Sequence, residues 1–135
     1  MNTPHRIINP AELPAAVGFA HAVVAAPGRT VYLGGQIGCD PDGVLRADTL
    51  VAQYELALSN VVTALRAAGG RPGDLVAMTI YTTDLAGYRS GLSDLGQAHR
   101  RHLGRHYPAT ALFGVTGLFE PSALVELVCL AVVPD

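Results

Sequence analysis

Apolar residues at positions 50, 54, 58, 61 and 65 (Leu50, Tyr54, Leu58, Val61, Leu65) recur at three- and four-residue steps, so one face of a helix is apolar. Asp48 or Thr49 can cap its start, Gly69-Gly70 stops it and Pro72 prevents its resumption. The run Leu75 to Thr83 is β-branched and aromatic, which predicts a strand. A second helix is expected from about Tyr88 to Arg105, ended by Pro108 and weakened by Gly91 and Gly96. ATALFGV and LVELVCLAVV read as the last two strands. Near the start, HAVVAAPGRTVYLGGQ reads as two strands around a Pro27-Gly28 turn, with a further short strand possible at Arg6 to Ile8. GCDPDGVLRAD is a polar loop around a Pro-Asp-Gly turn.

The order is ββαβαββ, an α+β domain with two helices on one face of a sheet. Leu75 to Ile80 and Leu124 to Val133 are nonetheless apolar on both parities, as in strands buried on both faces. With two helices for one face, another copy of the chain is the expected cover for the second, giving a sheet-rich homo-oligomer.

Composition narrows the function classes. The 135 residues suit a single domain over residues 1–135, and half of them are apolar. No apolar run reaches the ~18 residues of a membrane span, and the N-terminus has no secretory pattern. A cytoplasmic protein without a membrane partner is expected. Net charge is −2, and all nine basic residues are arginines scattered along the chain, a poor footprint for nucleic acid. With no lysine, neither Schiff-base catalysis through lysine nor pyridoxal phosphate anchoring is available. Cys39 and Cys129 lie far apart with no CxxC, which suits a reducing compartment and argues against a zinc knuckle.

One carboxylate, Glu126, interrupts LVELVCLAVV. It is either a structural group paired with an arginine or backbone amides, or a carboxylate in a largely dry pocket that exchanges protons with water or a substrate nitrogen. His99, His102 and His106 share one face of the expected helix. They could ligate a metal, but Arg100, Arg101 and Arg105 would repel a cation, and a solvated last turn is the simpler reading; no metal is expected. His21 is either an acid-base group in a pocket or an edge residue at a strand end. GGQIG lacks GxGxxG spacing, and its glycines instead let backbone amides approach a small anion or carbonyl. Ser59, Ser90 and Ser93 lack the G-x-S-x-G context of a hydrolase elbow.

PAAVGFAHAVV (14–24), TVYLGGQIGCDPDGVL (30–45), LRAAGGRPGDLVAMTIYTTDLAGY (65–88) and YPATALFGVTGL followed by LVEL together resemble the RidA/YjgF family of reactive-intermediate deaminases, also labelled L-PSP endoribonuclease-like. The resemblance runs nearly end to end. It implies a chorismate-mutase-like α+β fold and a homotrimer with pockets between subunits. It also implies metal- and cofactor-free hydrolysis of small imines or enamines to ammonia and an oxo acid. Position by position, the family's water-orienting glutamate matches Glu126, the glycine whose amide faces the ligand matches Gly35, and the aromatic that reaches a neighbour's pocket matches Tyr88. Other positions depart. Thr110 stands where the deaminase branch has its carboxylate-clamping arginine, Ala20 where it has a tyrosine, Leu92 where it has an asparagine, and Gly34 where it has a small hydroxyl residue. The bidentate grip on a carboxylate is then lost. A less polar imine or enamine is the expected substrate, with His21 a candidate donor. A non-catalytic trimer that binds a metabolite or acts as a chaperone is the alternative, and an endoribonuclease is disfavoured by the charge pattern.

Overall fold

The computed structural model describes residues 2–135. Its strands are β1 (Arg6–Ile8), β2 (Ala22–Val24), β3 (Gly28–Tyr32), β4 (Leu75–Thr82), β5 (Ala109–Gly114) and β6 (Val125–Pro134), and its helices α1 (Leu50–Ala67), α2 (Leu85–Ser90) and α3 (Leu92–Leu103). The periodic segment forms α1 as expected. Thr49 caps it by accepting from the Ala52 amide, and Gly69, at φ +87°, turns the chain so that the Gly70 amide returns to the Leu65 carbonyl at 2.9 Å. Leu58, Val61 and Leu65 on its inner face are fully buried.

The second helix departs from expectation. It breaks at Gly91 into α2 and α3, and Asp84 caps α2 by accepting from the Gly87 amide. Gly104, at φ +62°, then ends α3 before His106, so the three histidines do not share a helical face. His99 is buried and donates through Nε2 to the His106 carbonyl (2.8 Å), while its ring stacks on Tyr107. His106 donates to the Leu75 carbonyl (2.7 Å), and His102 lies beside Glu55. No metal-binding group of His, Cys, Asp or Glu is found among the described residues.

Burial, more than any neighbouring charge, holds both His99 and His106 below the ordinary histidine range. The unfolded chain therefore binds more protons than the fold between their depressed values and about 6.5. Stability is complete above that range and falls as the pH drops through it. We expect the urea midpoint to decline on acidification from about pH 7.5 to about pH 5.5, against the flat profile that solvated histidines would give.

The main sheet runs β3-β6-β4-β5, with β4 and β5 parallel and the other pairs antiparallel. The Pro27-Gly28 segment joins two strands as expected, but they do not pair with each other. β2 pairs with β1 in a separate two-stranded ribbon, and β3 pairs with β6. A turn signal fixes where the chain reverses, not which strand lies alongside.

β4 shows how the two faces differ. Met78, Ile80 and Thr82 are buried toward the helices, while Ala77, Thr79 and Tyr81 point outward and are only half-buried. Register puts Glu126, Val128 and Leu130 of β6, Tyr32 of β3 and Phe113 of β5 on that outward face. Tyr81 and Phe113 stack there, and Tyr32 is 81% exposed. The fold is thus a mixed-sheet α+β domain whose helices all lie on one side. No helix is long and apolar enough to cross a membrane among the described residues.

Candidate active site

Glu126 projects from β6 between Val125 and Leu127, both fully buried toward the core, and is itself half-buried on the outward face. Among the described residues no cation lies within ion-pair reach of its carboxylate, and no hydrogen bond holds it. The chain beyond β3 explains what lies beside it. The Leu33 amide donates to the Cys129 carbonyl (3.1 Å), and Gln36 and Leu127 exchange both backbone bonds (2.8 and 2.9 Å). Gly34 and Gly35 therefore stand opposite the single residue Val128, a bulge of two residues against one. Neither glycine amide bonds to β6, so both are left free to donate elsewhere. A Cβ at Gly35 would overlap Glu126 Oε2, so only glycine lets the backbone lie against this carboxylate. Gly34 has open space around its Cα, and a larger residue would fit there.

The remaining candidate residues lie elsewhere. Thr110 pairs with Met78 in the β4–β5 register, whereas Glu126 pairs with Tyr81. The two side chains therefore leave the sheet on opposite faces and cannot meet within one protomer. Thr110 Oγ1 donates to the Pro108 carbonyl at 2.8 Å. Tyr88 and Leu92 share Thr110's side, around a cavity of about 470 Å³ between β4, β5 and α3. Met78, Ile80 and Leu112 form its apolar floor, and the 17–19 segment borders it. Tyr88 meets Tyr54 edge to face with ring centres 6.3 Å apart, and burial raises both phenols above the ordinary tyrosine range, which keeps them protonated donors. Ala20 is buried and bridges to Ala109 at the free edge of β5. It lines a neighbouring cavity of about 410 Å³ that includes Asn9, Arg105 and His106. His21 lines neither. Its Nε2 bonds to the Pro14 carbonyl at 2.7 Å, its amide donates to Asn9 Oδ1 at 2.8 Å, and its ring sits edge-on to Phe19. A cleft of about 500 Å³ on the Gly35 side runs between the 35–41 loop and α1, next to Asn60 and Cys39.

Sequence reasoning read Gly96 only as a weak point of the helix and Arg100 only as a charge beside the histidines, yet both line the 470 Å³ cavity. The signal was available in part, because a glycine inside a helix costs about 1 kcal/mol relative to alanine and asks for a reason.

Comparison with known proteins agrees with this fold. The model of the family described as Endoribonuclease L-PSP matches residues 10–133. The goat protein named 2-iminobutanoate/2-iminopropanoate deaminase is 32% identical over 129 residues, which cover 94% of this chain and 89% of the relative. The protein named DfrA from Myxococcus xanthus is 30% identical over 129 residues, covering 94% of this chain and 95% of that one. Among solved structures, YyfB from Yersinia pestis, described as of unknown function within the conserved Rid protein family, aligns with a TM-score of 0.87 at 31% identity, covering 98% of this chain and all of its own. RidA from an Antarctic Psychrobacter aligns with a TM-score of 0.68, also at 31% identity, covering 95% of this chain and 99% of its own. The chain belongs to the RidA/YjgF family, which includes proteins named as imine deaminases and others named as putative endoribonucleases.

Proposed function

We propose that this chain is a metal- and cofactor-free hydrolase of small reactive imines or enamines, with Glu126 as the group that handles water. The observation that carries this reading is the unpaired, half-buried carboxylate of Glu126 held against the backbone of Gly35. A carboxylate so placed takes a proton from a water attacking the C=N carbon and returns it to the departing nitrogen. The C–O bond forms, the C–N bond breaks, and an imine plus water becomes a carbonyl compound plus ammonia. The free Gly35 amide is a donor for the substrate's polar end.

We further propose a homotrimer. Tyr32, Phe113, Val128 and Leu130 form an outward apolar face that another copy would cover. Since Thr110, Tyr88 and Leu92 lie across the sheet from Glu126, the pocket is completed between subunits, one supplying the cavity and the next supplying Gly35 and Glu126. Ammonia release from a panel of imines tests the reading, and a panel with no turnover above buffer overturns it.

Thr110 sets the substrate preference. Its hydroxyl is committed to Pro108, and it carries no charge, so a short 2-imino acid has no clamp on β5. Restoring the charge with Thr110→Arg is expected to raise kcat/KM for a short 2-imino acid about tenfold or more relative to an uncharged imine. An unchanged ratio between the two substrates would show that the cavity does not meet Glu126. The same committed hydroxyl favours a second reading, a trimer that binds a metabolite without turning it over; ligand-induced melting shifts without ammonia release would establish it.

A further inference from the structure

Four neighbours on α3 have different electrostatic situations. Arg101 bonds to Glu55 at 2.6 Å, and His102 lies 3.7 Å from the same carboxylate. His99 is committed to the His106 carbonyl. Arg100 has no acidic partner among the described residues. Helical side chains lean toward the N-terminus, so Arg100 lies back over the preceding turn, where it meets Gly96. Its Nη1 sits 3.4 Å from the position a Cβ would take at Gly96. The guanidinium thus lies against Gly96 at the rim of the 470 Å³ cavity, which both residues line.

Behind this rim the cavity is chiefly apolar, floored by Met78, Ile80, Leu95 and Leu112, with protonated phenols at Tyr54 and Tyr88. One unpaired fork of donors over a large apolar chamber is the arrangement that selects an amphipathic anion. We propose that the cavity binds a monocarboxylate with a bulky apolar body, the carboxylate on Arg100 and the body over Met78, Ile80 and Leu112. This deepens the function proposed above and rests on it for the substrate class: an imine or enamine whose carboxylate is separated from the reacting carbon by an apolar spacer. The charge missing at Thr110 is then supplied from a different element, and the short 2-iminobutanoate type would leave most of the chamber empty.

The probes are 3-phenylpropanoate and its uncharged amide, with binding measured by calorimetry. The acid is expected to bind at least about tenfold more tightly than the amide, Arg100→Gln to abolish that difference, and Gly96→Leu, which fills the rim, to weaken both. Equal affinity for acid and amide, failure of both to bind, or unchanged acid affinity in Arg100→Gln would overturn the proposal. Arg100 is exposed, so its replacement leaves the core intact. Ammonia release from an uncharged imine is measured beside it. If that activity depends on Glu126 while the acid binds Arg100→Gln unchanged, the anion site falls and the hydrolase reading stands. If the acid binds through Arg100 and no imine is turned over, the reverse holds.

Discussion

Glu126→Gln is expected to lower imine turnover by at least about a hundredfold while the assembly and melting temperature stay near those of the wild type. The amide keeps the size and hydrogen-bonding reach of the side chain but cannot accept a proton from water, and general base catalysis is commonly worth 10²–10⁴-fold. Among the described residues no ion pair or hydrogen bond is lost with the charge, because none of them holds the carboxylate. Removing a buried charge that had been paired would destabilise the fold by about 3–5 kcal/mol. The two readings of this residue therefore separate in one pair of measurements. Full activity with an unchanged melt would remove Glu126 from the chemistry, and a collapsed melt would make it structural.

Gly35→Ala is expected to be almost as damaging to turnover and nearly silent in stability. The added methyl would overlap Glu126 Oε2 and Cδ, both in a flexible side chain that can swing aside. The backbone there follows a bulge that already lies outside the regular ladder. The fold adapts, but the carboxylate must move by about 1 Å to reach ordinary contact, and a misplacement of roughly 1 Å can cost about a hundredfold in rate. The check is kcat for an uncharged imine together with a thermal melt. Retained kcat would mean that Glu126 works equally well from another position, and hence that Gly35 does not position it.

Where the sequence was informative, the physics was local. The apolar face of α1, its Thr49 cap and its glycine stop are all written within one stretch of chain, and so are the β-branched runs of β4 and β6. The apolar residues on both parities of β4 and β6 also anticipated an outward face that no helix covers. The errors arose where a partner distant in sequence decides. The ladder of β3 goes to β6, about a hundred positions later, and nothing near Pro27-Gly28 specifies that. The continuous second helix and its histidine face depended on Gly91 and Gly104, whose effect follows from how α2 and α3 seat on the sheet. The site was legible only in its pieces. Glu126 stands out as a carboxylate in an apolar run, and Gly35 as part of a glycine pair, but that they touch requires the β3–β6 pairing. That Thr110 lies on the other side of the sheet depends on the β4–β5 register, which no periodicity within β5 reveals. Arg100 counted in the sequence only as one of several basic residues beside the histidines, since nothing local shows that it reaches a cavity.

The position of β6 between β3 and β4 has a consequence for biosynthesis. The strand that joins the two halves of the sheet is made after every strand it bonds to. While the ribosome is still translating residues 125–134, β3 has no ladder partner in the sheet, and β4 has only its parallel neighbour β5. Closing the sheet then requires contacts between distant parts of the chain, the slow kind. The nascent polypeptide therefore leaves the exit tunnel with open strand edges, and it is at this stage that aggregation competes with folding.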